Sequence, residues 1–115
     1  MGKLLTEYDT YRERMNQRIL SGDSLVTKRF FHLDSQAYES GSLDAKTKEL
    51  LGLVASLVLR CDDCVKYHIR ESLKAGSSQN EIAETMSIGL VVGGSIVIPH
   101  LRRAYEFLDD VIADR

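Results

Sequence analysis

The chain has 115 residues, a length that fits one domain and leaves no room for a second hydrophobic core. Its formal net charge is −2 and no stretch concentrates Lys or Arg on one face, which argues against nucleic-acid binding. The longest mainly apolar run, residues 88–99, is about a dozen residues, whereas a membrane-spanning helix needs roughly 20. The N-terminal segment is charged and lacks an apolar signal-peptide stretch, so we expect a cytoplasmic protein.

Apolar residues recur at helical spacing along most of the chain, and turn-forming residues separate the segments. Helices are therefore expected over about residues 4–20, 25–37, 43–59, 65–74 and 78–92, with a sixth after Gly94. Ser78 and Glu81 form a capping box for the fifth helix, and Pro99 is an awkward interior residue of the sixth. Ile96–Ile98 is β-branched but has no strand partner. We predict an all-α fold of about six helices.

The third and fourth helices are expected to form a central antiparallel hairpin. The third is apolar nearly all round over residues 50–59, and only the polar residues 60–63 separate it from the fourth. Counting back from this turn places His68 opposite residues 49–54, where Glu49 is the one acid. A carboxylate of the third helix is therefore expected beside His68.

The only two cysteines, Cys61 and Cys64, form a lone CxxC motif, which in a reducing compartment is more often catalytic or metal-binding than structural. On a helix that begins near Cys61 or Asp62, these cysteines and His68 stand at i, i+3 and i+7 and share one face. The helix N-terminus favours thiolate, the imidazole can exchange the thiol proton, and a second cysteine can capture a sulfenic acid as a disulfide. Glu49 would orient the imidazole. The motif predicts thiol redox chemistry.

Asp62 and Asp63, inside the motif, act in the opposite direction. Carboxylates beside a thiol raise its pKa and disfavour the thiolate, unless one of them caps the helix. The sequence leaves open which of the two effects is larger.

The spacing Glu49-x11-Cys61-x2-Cys64-x3-His68 resembles the core signature of the alkylhydroperoxidase D-like branch of the carboxymuconolactone decarboxylase superfamily. The segments Lys74-Ala75-Gly76 and Glu81-Ile82, the small residues from Gly89 to Ser95 and the closing helix are also similar to that family. The resemblance covers roughly residues 43–108. It implies that residues 1–115 form one such helical domain, built on the hairpin and assembled as trimers or hexamers.

The resemblance also implies a thiol-dependent peroxidase or disulfide oxidoreductase that uses no cofactor. Cys64 would be the attacking thiol, Cys61 the resolving thiol, and Glu49 with His68 a proton relay. The partners would be a peroxide or disulfide substrate and a thiol reductant. Characterised peroxidases of the branch carry a second histidine where this chain has Asp63, which favours dithiol–disulfide exchange over efficient peroxide reduction. The decarboxylase branch lacks the CxxC pair, so lactone chemistry is not inferred.

Several alternatives remain open at this stage. Cys61, Cys64 and His68, with His100, are residue types that suit a zinc site. A second alternative is a redox-sensing oligomer that does not turn over a substrate. A third is that the two cysteines and His68 are buried side chains without a chemical role. Glu49 is nearly as well explained by pairing with Lys46 or Lys48. His100 is a candidate second base. His32 is interpreted as a packing or surface residue, and Arg102 and Arg103 as exposed or interface charges.

The segment from Leu90 to Ile98 is more apolar than a short helix of a monomer requires. Gly89, Gly93 and Gly94 would let helices approach closely. We therefore expect part of this surface to be buried between subunits.

Overall fold

The computed structural model describes residues 2–114, which form six α-helices and one short 3₁₀ helix and contain no β-strand. The α-helices are α1 (Lys3–Leu20), α2 (Leu25–Ala37), α3 (Ala45–Val58), α4 (Asp62–Lys74), α5 (Gln79–Gly93) and α6 (Ile98–Ala113). The 3₁₀ helix, Ser95–Val97, joins α5 to α6. The prediction of an all-α fold with about six helices is confirmed.

Local side-chain caps explain where three of the helices begin. The side chain of Ser24 accepts a hydrogen bond from a first-turn backbone N–H of α2, and that of Asp44 does the same for α3. At α5 the Ser78–Glu81 capping box is complete, with backbone-to-side-chain distances of 2.8 and 3.0 Å in the two directions. Each cap satisfies a donor that the helix leaves unpaired.

Pro99 lies in the first turn of α6, and not in its interior as the sequence suggested. A first-turn residue has no intrahelical partner for its N–H, so the proline ring removes no hydrogen bond there. The expectation of an awkward proline was therefore wrong, because the 3₁₀ helix delays the start of α6.

α3 is the central helix: it packs antiparallel against α4 on one side and against α5 on another, while α6 covers α4 and α1 lies on α6. Gly89 of α5 lets α3 approach closely, since a Cβ atom there would lie 2.9 Å from the Leu57 side chain. The core consists of fully buried side chains from α3 to α6, among them Leu53, Leu57, Ile69, Ile82, Met86, Val97, Phe107 and Leu108.

Apolar side chains remain exposed on three helices. α2 buries none of its residues, α5 exposes its C-terminal half, and α3 exposes one stripe instead of being covered all round. The exposed side chains are Leu25, Val26, Phe30 and Leu33 on α2, Leu51 on α3 with Leu59 at its C-terminal end, and Ile88, Val91 and Val92 on α5. Within residues 2–114, no helix is both long and apolar enough to cross a membrane.

Candidate active site

The end of α3 determines where the CxxC motif begins. Arg60 follows the helix in the left-handed region, with φ of 60°, and its N–H donates to the carbonyl of Leu57 at 3.0 Å. The N–H of Cys61 donates to the carbonyl of Ser56, also at 3.0 Å. These two bonds form a Schellman motif, which satisfies carbonyls at the end of α3 and turns the chain. Cys61 therefore begins α4 immediately after α3 has ended.

Cys61 and Cys64 are joined in a disulfide, with their Cα atoms 5.3 Å apart. Cys61 is the N-cap of α4, and its Sγ accepts a hydrogen bond from the N–H of Cys64 at 3.2 Å. Asp62 and Asp63 occupy the first turn, so the alternative in which one of these carboxylates caps the helix is wrong. Both sulfur atoms lie at the positive end of the α4 dipole, which favours thiolate in the reduced form.

Glu49 of α3 and His68 of α4 form a buried pair. The Oε1 atom of Glu49 lies 2.8 Å from Nδ1 of His68, and each side chain is only 9% exposed. Lys46 pairs instead with Glu81, and Lys48 donates to a backbone carbonyl. Pairing of Glu49 with either lysine was therefore the wrong alternative. The antiparallel hairpin brings the two residues together across the α3–α4 contact.

The Glu49 bond determines how the two nitrogens of His68 are used. An ionised carboxylate only accepts hydrogen bonds, so Nδ1 carries a proton, and in the neutral ring Nε2 is then the acceptor. The Nε2 atom faces the hydroxyl of Tyr38 at 3.4 Å, and the Tyr67 ring meets the imidazole edge-on, 5.1 Å between centroids. Burial, together with the charge of Glu49, raises the pKa of Tyr38 above its usual value. When the ring is neutral, His68 thus directs its acceptor nitrogen, Nε2, towards the Tyr38 hydroxyl.

Gly52 of α3 packs directly against the ring of His68. A Cβ atom at this position would lie 2.5 Å from Cε1 and 2.7 Å from Nε2 of the imidazole, closer than any real side chain allows. The backbone of α3 therefore supports the ring directly. This close approach needs a residue without a side chain.

Cys64, and not Cys61, opens on a cavity of about 170 Å³. The walls of this cavity are Arg12, Asp34, Asp63, Cys64, Tyr67 and His68. A second cavity of about 290 Å³ shares Arg12, Asp34 and Asp63 with it and extends between α1 and α2 along Tyr11, Met15, Phe30 and Phe31. A small molecule in the first cavity would therefore lie beside both Cys64 and His68.

Asp63 is exposed and forms part of the cavity wall beside Cys64. Its backbone carbonyl accepts a hydrogen bond from the Tyr8 hydroxyl at 3.2 Å. Burial, with the negative charge of Asp63, raises the pKa of Tyr8 to about 12, so this phenol stays protonated. Tyr8 therefore attaches α1 to the first turn of α4.

Asp62 points the other way, towards α6. Its Oδ1 atom accepts from Nδ1 of His100 at 2.8 Å, and its Oδ2 atom accepts from Nε of Arg103 at 2.7 Å. Burial raises the pKa of Asp62, but the hydrogen bonds and charges of the two α6 residues outweigh it, and the pKa is lowered. Arg103 is exposed, as are Arg102 and His32, but its side chain is also bonded to Asp62 of the motif.

The zinc alternative gains no support. Among residues 2–114, no group of three or more His, Cys, Asp and Glu side chains is arranged to hold a metal ion. The two cysteines are bonded to each other, and His100 is held by Asp62, outside the walls of the Cys64 cavity.

Three contributors to the site were not found from the sequence. Gly52 carried a weak signal, being a glycine inside an apolar helix three residues after Glu49. Tyr38, at the end of α2, and Arg12, on α1, carried none, because their place depends on how the first two helices pack over the hairpin.

Comparison with known proteins agrees with this architecture. The family model described as carboxymuconolactone decarboxylase family matches residues 25–107. An uncharacterized protein of Cupriavidus necator is 30% identical over 73 residues, a match that spans 64% of this chain and 65% of that protein. Uncharacterized protein 4 in the cox locus of Paracoccus denitrificans is 23% identical over 86 residues, or 75% of this chain and 78% of that protein.

Solved structures share the fold. A Thermotoga maritima protein, called a "carboxymuconolactone decarboxylase family protein possibly involved in antioxidative response", is 54% identical with a TM-score of 0.88, over 93% of this chain and 91% of that one. A Legionella pneumophila protein of the family, 23% identical with a TM-score of 0.68 over 93% and 88% of the two chains, shows the fold alone. Because the family model covers most of its length, the chain belongs to the carboxymuconolactone decarboxylase family.

Proposed function

We propose that the protein is a thiol-dependent oxidoreductase in which Cys64 attacks the substrate, Cys61 resolves the intermediate, and Glu49 and His68 relay the proton. One observation carries the proposal: Cys64 and His68 line the same cavity, while the far nitrogen of His68 is bonded to buried Glu49. A nucleophile, a base and a group that orients the base are the components of an activated thiol. A redox-active CxxC of this kind is suited to a reducing compartment, and we place the protein in the cytoplasm.

The steps on a peroxide substrate are as follows. His68 accepts the proton of the Cys64 thiol at Nε2, and the thiolate attacks one peroxide oxygen, forming an S–O bond and breaking the O–O bond. The departing alkoxide takes the proton from His68 and leaves as an alcohol. The thiol of Cys61 then attacks the Cys64 sulfur, which releases water and forms the disulfide. An external dithiol restores both thiols with two electrons and two protons.

A disulfide substrate depends less on proton donation to its leaving group, because a thiolate leaves more readily than an alkoxide. The Cys64 thiolate forms a mixed disulfide with one sulfur and expels the other as a thiolate, which takes a proton. Attack by Cys61 releases the second thiol and leaves the Cys61–Cys64 disulfide. Asp63, in place of the histidine of characterised peroxidases, cannot serve as a neutral nitrogen base beside Cys64. We therefore propose dithiol–disulfide exchange as the more efficient of the two reactions.

The test is turnover of reduced protein with an alkyl hydroperoxide and, separately, with a small-molecule disulfide, each coupled to consumption of a dithiol. We expect Cys64→Ser to abolish both reactions. Cys61→Ser should react once and accumulate a sulfenic acid or a mixed disulfide, visible by intact-mass spectrometry. Met86→Leu, a buried substitution of similar volume away from the cavity, is the control for damage to the fold.

Unchanged turnover in Cys64→Ser would reject the assignment. Wild-type protein that forms its disulfide reversibly in glutathione buffers, yet turns over neither substrate, would identify a redox sensor instead. That outcome is the second candidate function, and the disulfide between Cys61 and Cys64 is the observation that favours it.

We further propose that the protein is a homo-oligomer, a trimer or a hexamer. The support is the amount of exposed apolar surface: Val26 and Phe30 on α2 and Val91 and Val92 on α5 are each at least two-thirds exposed. A soluble monomer seldom exposes so many large apolar side chains. Analytical ultracentrifugation at micromolar concentration should show three or six chains, and a monomer would remove the proposal. Val91→Lys should shift the equilibrium towards smaller species, whereas Lys3→Glu, on exposed α1, should not.

A further inference from the structure

The acidic side of the CxxC motif is compensated by α6. Asp62 directly follows Cys61, and its carboxylate oxygens are each within 2.8 Å of a donor on α6, His100 Nδ1 and Arg103 Nε. Since the carboxylate accepts both bonds, it is held against α6. Asp63, one residue later, is exposed and lies in the wall of the Cys64 cavity instead.

The charges around Asp62 are few. On α4, Lys66 lies one turn further along and stands over the Phe107 ring, 5.8 Å from its centroid. On α6, His100 and Arg103 are the two groups bonded to Asp62, and Arg103 also lies 3.2 Å from His100 through its Nη2 atom. Arg103 is always charged. The carboxylate beside Cys61 is therefore balanced chiefly by one permanent cation from α6.

This balance bears on the stability of the reduced pair. Reduction of the disulfide takes up two electrons and two protons, and part of the dithiol is thiolate at neutral pH. An uncompensated carboxylate beside a thiolate disfavours it, whereas a neutralised carboxylate does not. A dithiol whose thiolate is stabilised makes its disulfide more oxidising.

We propose that Arg103 and His100 are positioning residues that hold and neutralise the Asp62 carboxylate, and so shift the Cys61–Cys64 equilibrium towards the dithiol. The inference deepens the proposed oxidoreductase function and rests on it for its biological sense. The two α6 residues contact Asp62, and the proposal assigns them no contact with the sulfur atoms or the substrate. They act through Asp62, and they make the disulfide a stronger oxidant than the acidic motif alone would allow.

The experiment is redox equilibration of the full chain in buffers of reduced and oxidised glutathione, with the dithiol fraction measured after alkylation. Arg103→Gln should shift the equilibrium constant towards the disulfide by about two- to fivefold, the range of partly exposed ion pairs. Fivefold corresponds to about 20 mV for two electrons. His100→Gln should shift it in the same direction by less, and Arg103→Lys should restore most of the wild-type value.

Two further variants separate the proposal from a loss of packing. Arg102→Gln changes the neighbouring, exposed arginine and should leave the equilibrium constant at the wild-type value. Asp62→Asn should shift the constant towards the dithiol, and adding Arg103→Gln to it should have little further effect. The proposal would be overturned if Arg103→Gln shifted the constant no more than Arg102→Gln does. It would also be overturned if Arg103→Gln caused as large a shift in the Asp62→Asn variant as in the wild type.

The equilibrium constant is a thermodynamic quantity and does not depend on how fast the protein turns over, so its outcome is independent of turnover. If the wild-type protein lacks turnover but the variants show these shifts, the proposed function is refuted and this inference stands. If the wild-type protein turns over substrate but the variants show no shift, this inference is refuted and the proposed function stands.

Discussion

Two histidines flank the CxxC motif, and each donates from Nδ1 to a carboxylate at 2.8 Å. His68 pairs with Glu49 at 9% exposure of both side chains, while His100 pairs with Asp62 at 20% and 35%. The first pair is enclosed by the hairpin, and the second also receives Arg103 and faces solvent more openly. Under the proposed function, the same kind of hydrogen bond has a different role in each of the two pairs.

The difference follows from the surroundings of each pair. In the buried pair, His68 lines the same cavity as Cys64, which is where the proposed relay would exchange a proton. The Asp62–His100 pair is only partly buried, so solvent screens its charges and we expect it to adjust an equilibrium only modestly. The two pairs thus differ in burial and not in hydrogen-bond length, and we attribute their different proposed roles to that difference.

Among substitutions around the two histidine pairs, the largest effect should come from Glu49→Gln. An amide orients the imidazole poorly and no longer favours its protonated form, and general acid–base catalysis is worth about a hundredfold or more. We expect kcat/KM for the disulfide substrate to fall by about that factor with the fold intact, as judged by circular dichroism. Glu84→Gln, an exposed glutamate on α5, is the matched control. Equal activity of the two variants would contradict the relay.

Gly52→Ala should have the next largest effect, because a methyl group at this position overlaps the His68 ring. We expect turnover to fall about tenfold and the free energy of unfolding to drop by about 1–3 kcal/mol, the usual cost of overpacking. Gly41→Ala is the control, since its nearest neighbour would be 3.8 Å away. Urea denaturation and turnover of the same samples give both quantities. Wild-type activity in Gly52→Ala would show that the ring position is not critical.

Tyr38→Phe should have a smaller effect. It removes a hydroxyl 3.4 Å from Nε2 of His68, and one hydrogen bond of this kind contributes roughly 0.5–1.5 kcal/mol, or at most about tenfold in rate. Turnover should change within that range while unfolding by urea stays near the wild-type midpoint. Tyr105→Phe, on the exposed side of α6, is the reference. A loss as large as that of Glu49→Gln would make Tyr38 a member of the relay.

The smallest effect concerns stability at acidic pH and involves the partly buried Asp62–His100 pair. The pKa of Asp62 is lowered on folding from its ordinary 3.8, so its contribution to stability is fully present above 3.8 and is lost as pH falls from there through the lower pKa of the folded state. Asp62→Asn should therefore lower the free energy of unfolding at pH 7 by less than about 1 kcal/mol. Towards pH 3 the difference from wild type should shrink. Asp109→Asn, an exposed carboxylate on α6, should show no such trend in urea titrations at several pH values.

Local signals made most of the fold predictable. The Ser78–Glu81 box and the polar turns determine helix ends within a few residues of chain, so they can be recognised without knowledge of the packing. The pairing of Glu49 with His68 was predictable because a short turn forces the α3–α4 register. Pro99 was misplaced because nothing in the sequence marks the 3₁₀ helix that precedes α6.

The rest of the site depends on contacts between distant segments. Arg103 lies 41 residues from Asp62 in the chain, and its spacing gave no indication of that bond. Tyr38 lies 30 residues from His68 and reaches it only because α2 ends above the hairpin. Gly52 could be interpreted from the sequence only after the crossing of α3 and α4 was known.

The three-residue separation of Cys61 and Cys64 also determines how much their disulfide contributes to the stability of the fold. A cross-link closing so short a loop restricts the unfolded chain little, by about 2 kcal/mol, against about 4.7 kcal/mol for a loop of 100 residues. The Schellman motif before Cys61 and the backbone pairing of α4 do not involve the bond between the sulfurs. The helices therefore maintain the architecture largely without this bond, so a redox cycle of the proposed kind would be only weakly coupled to folding.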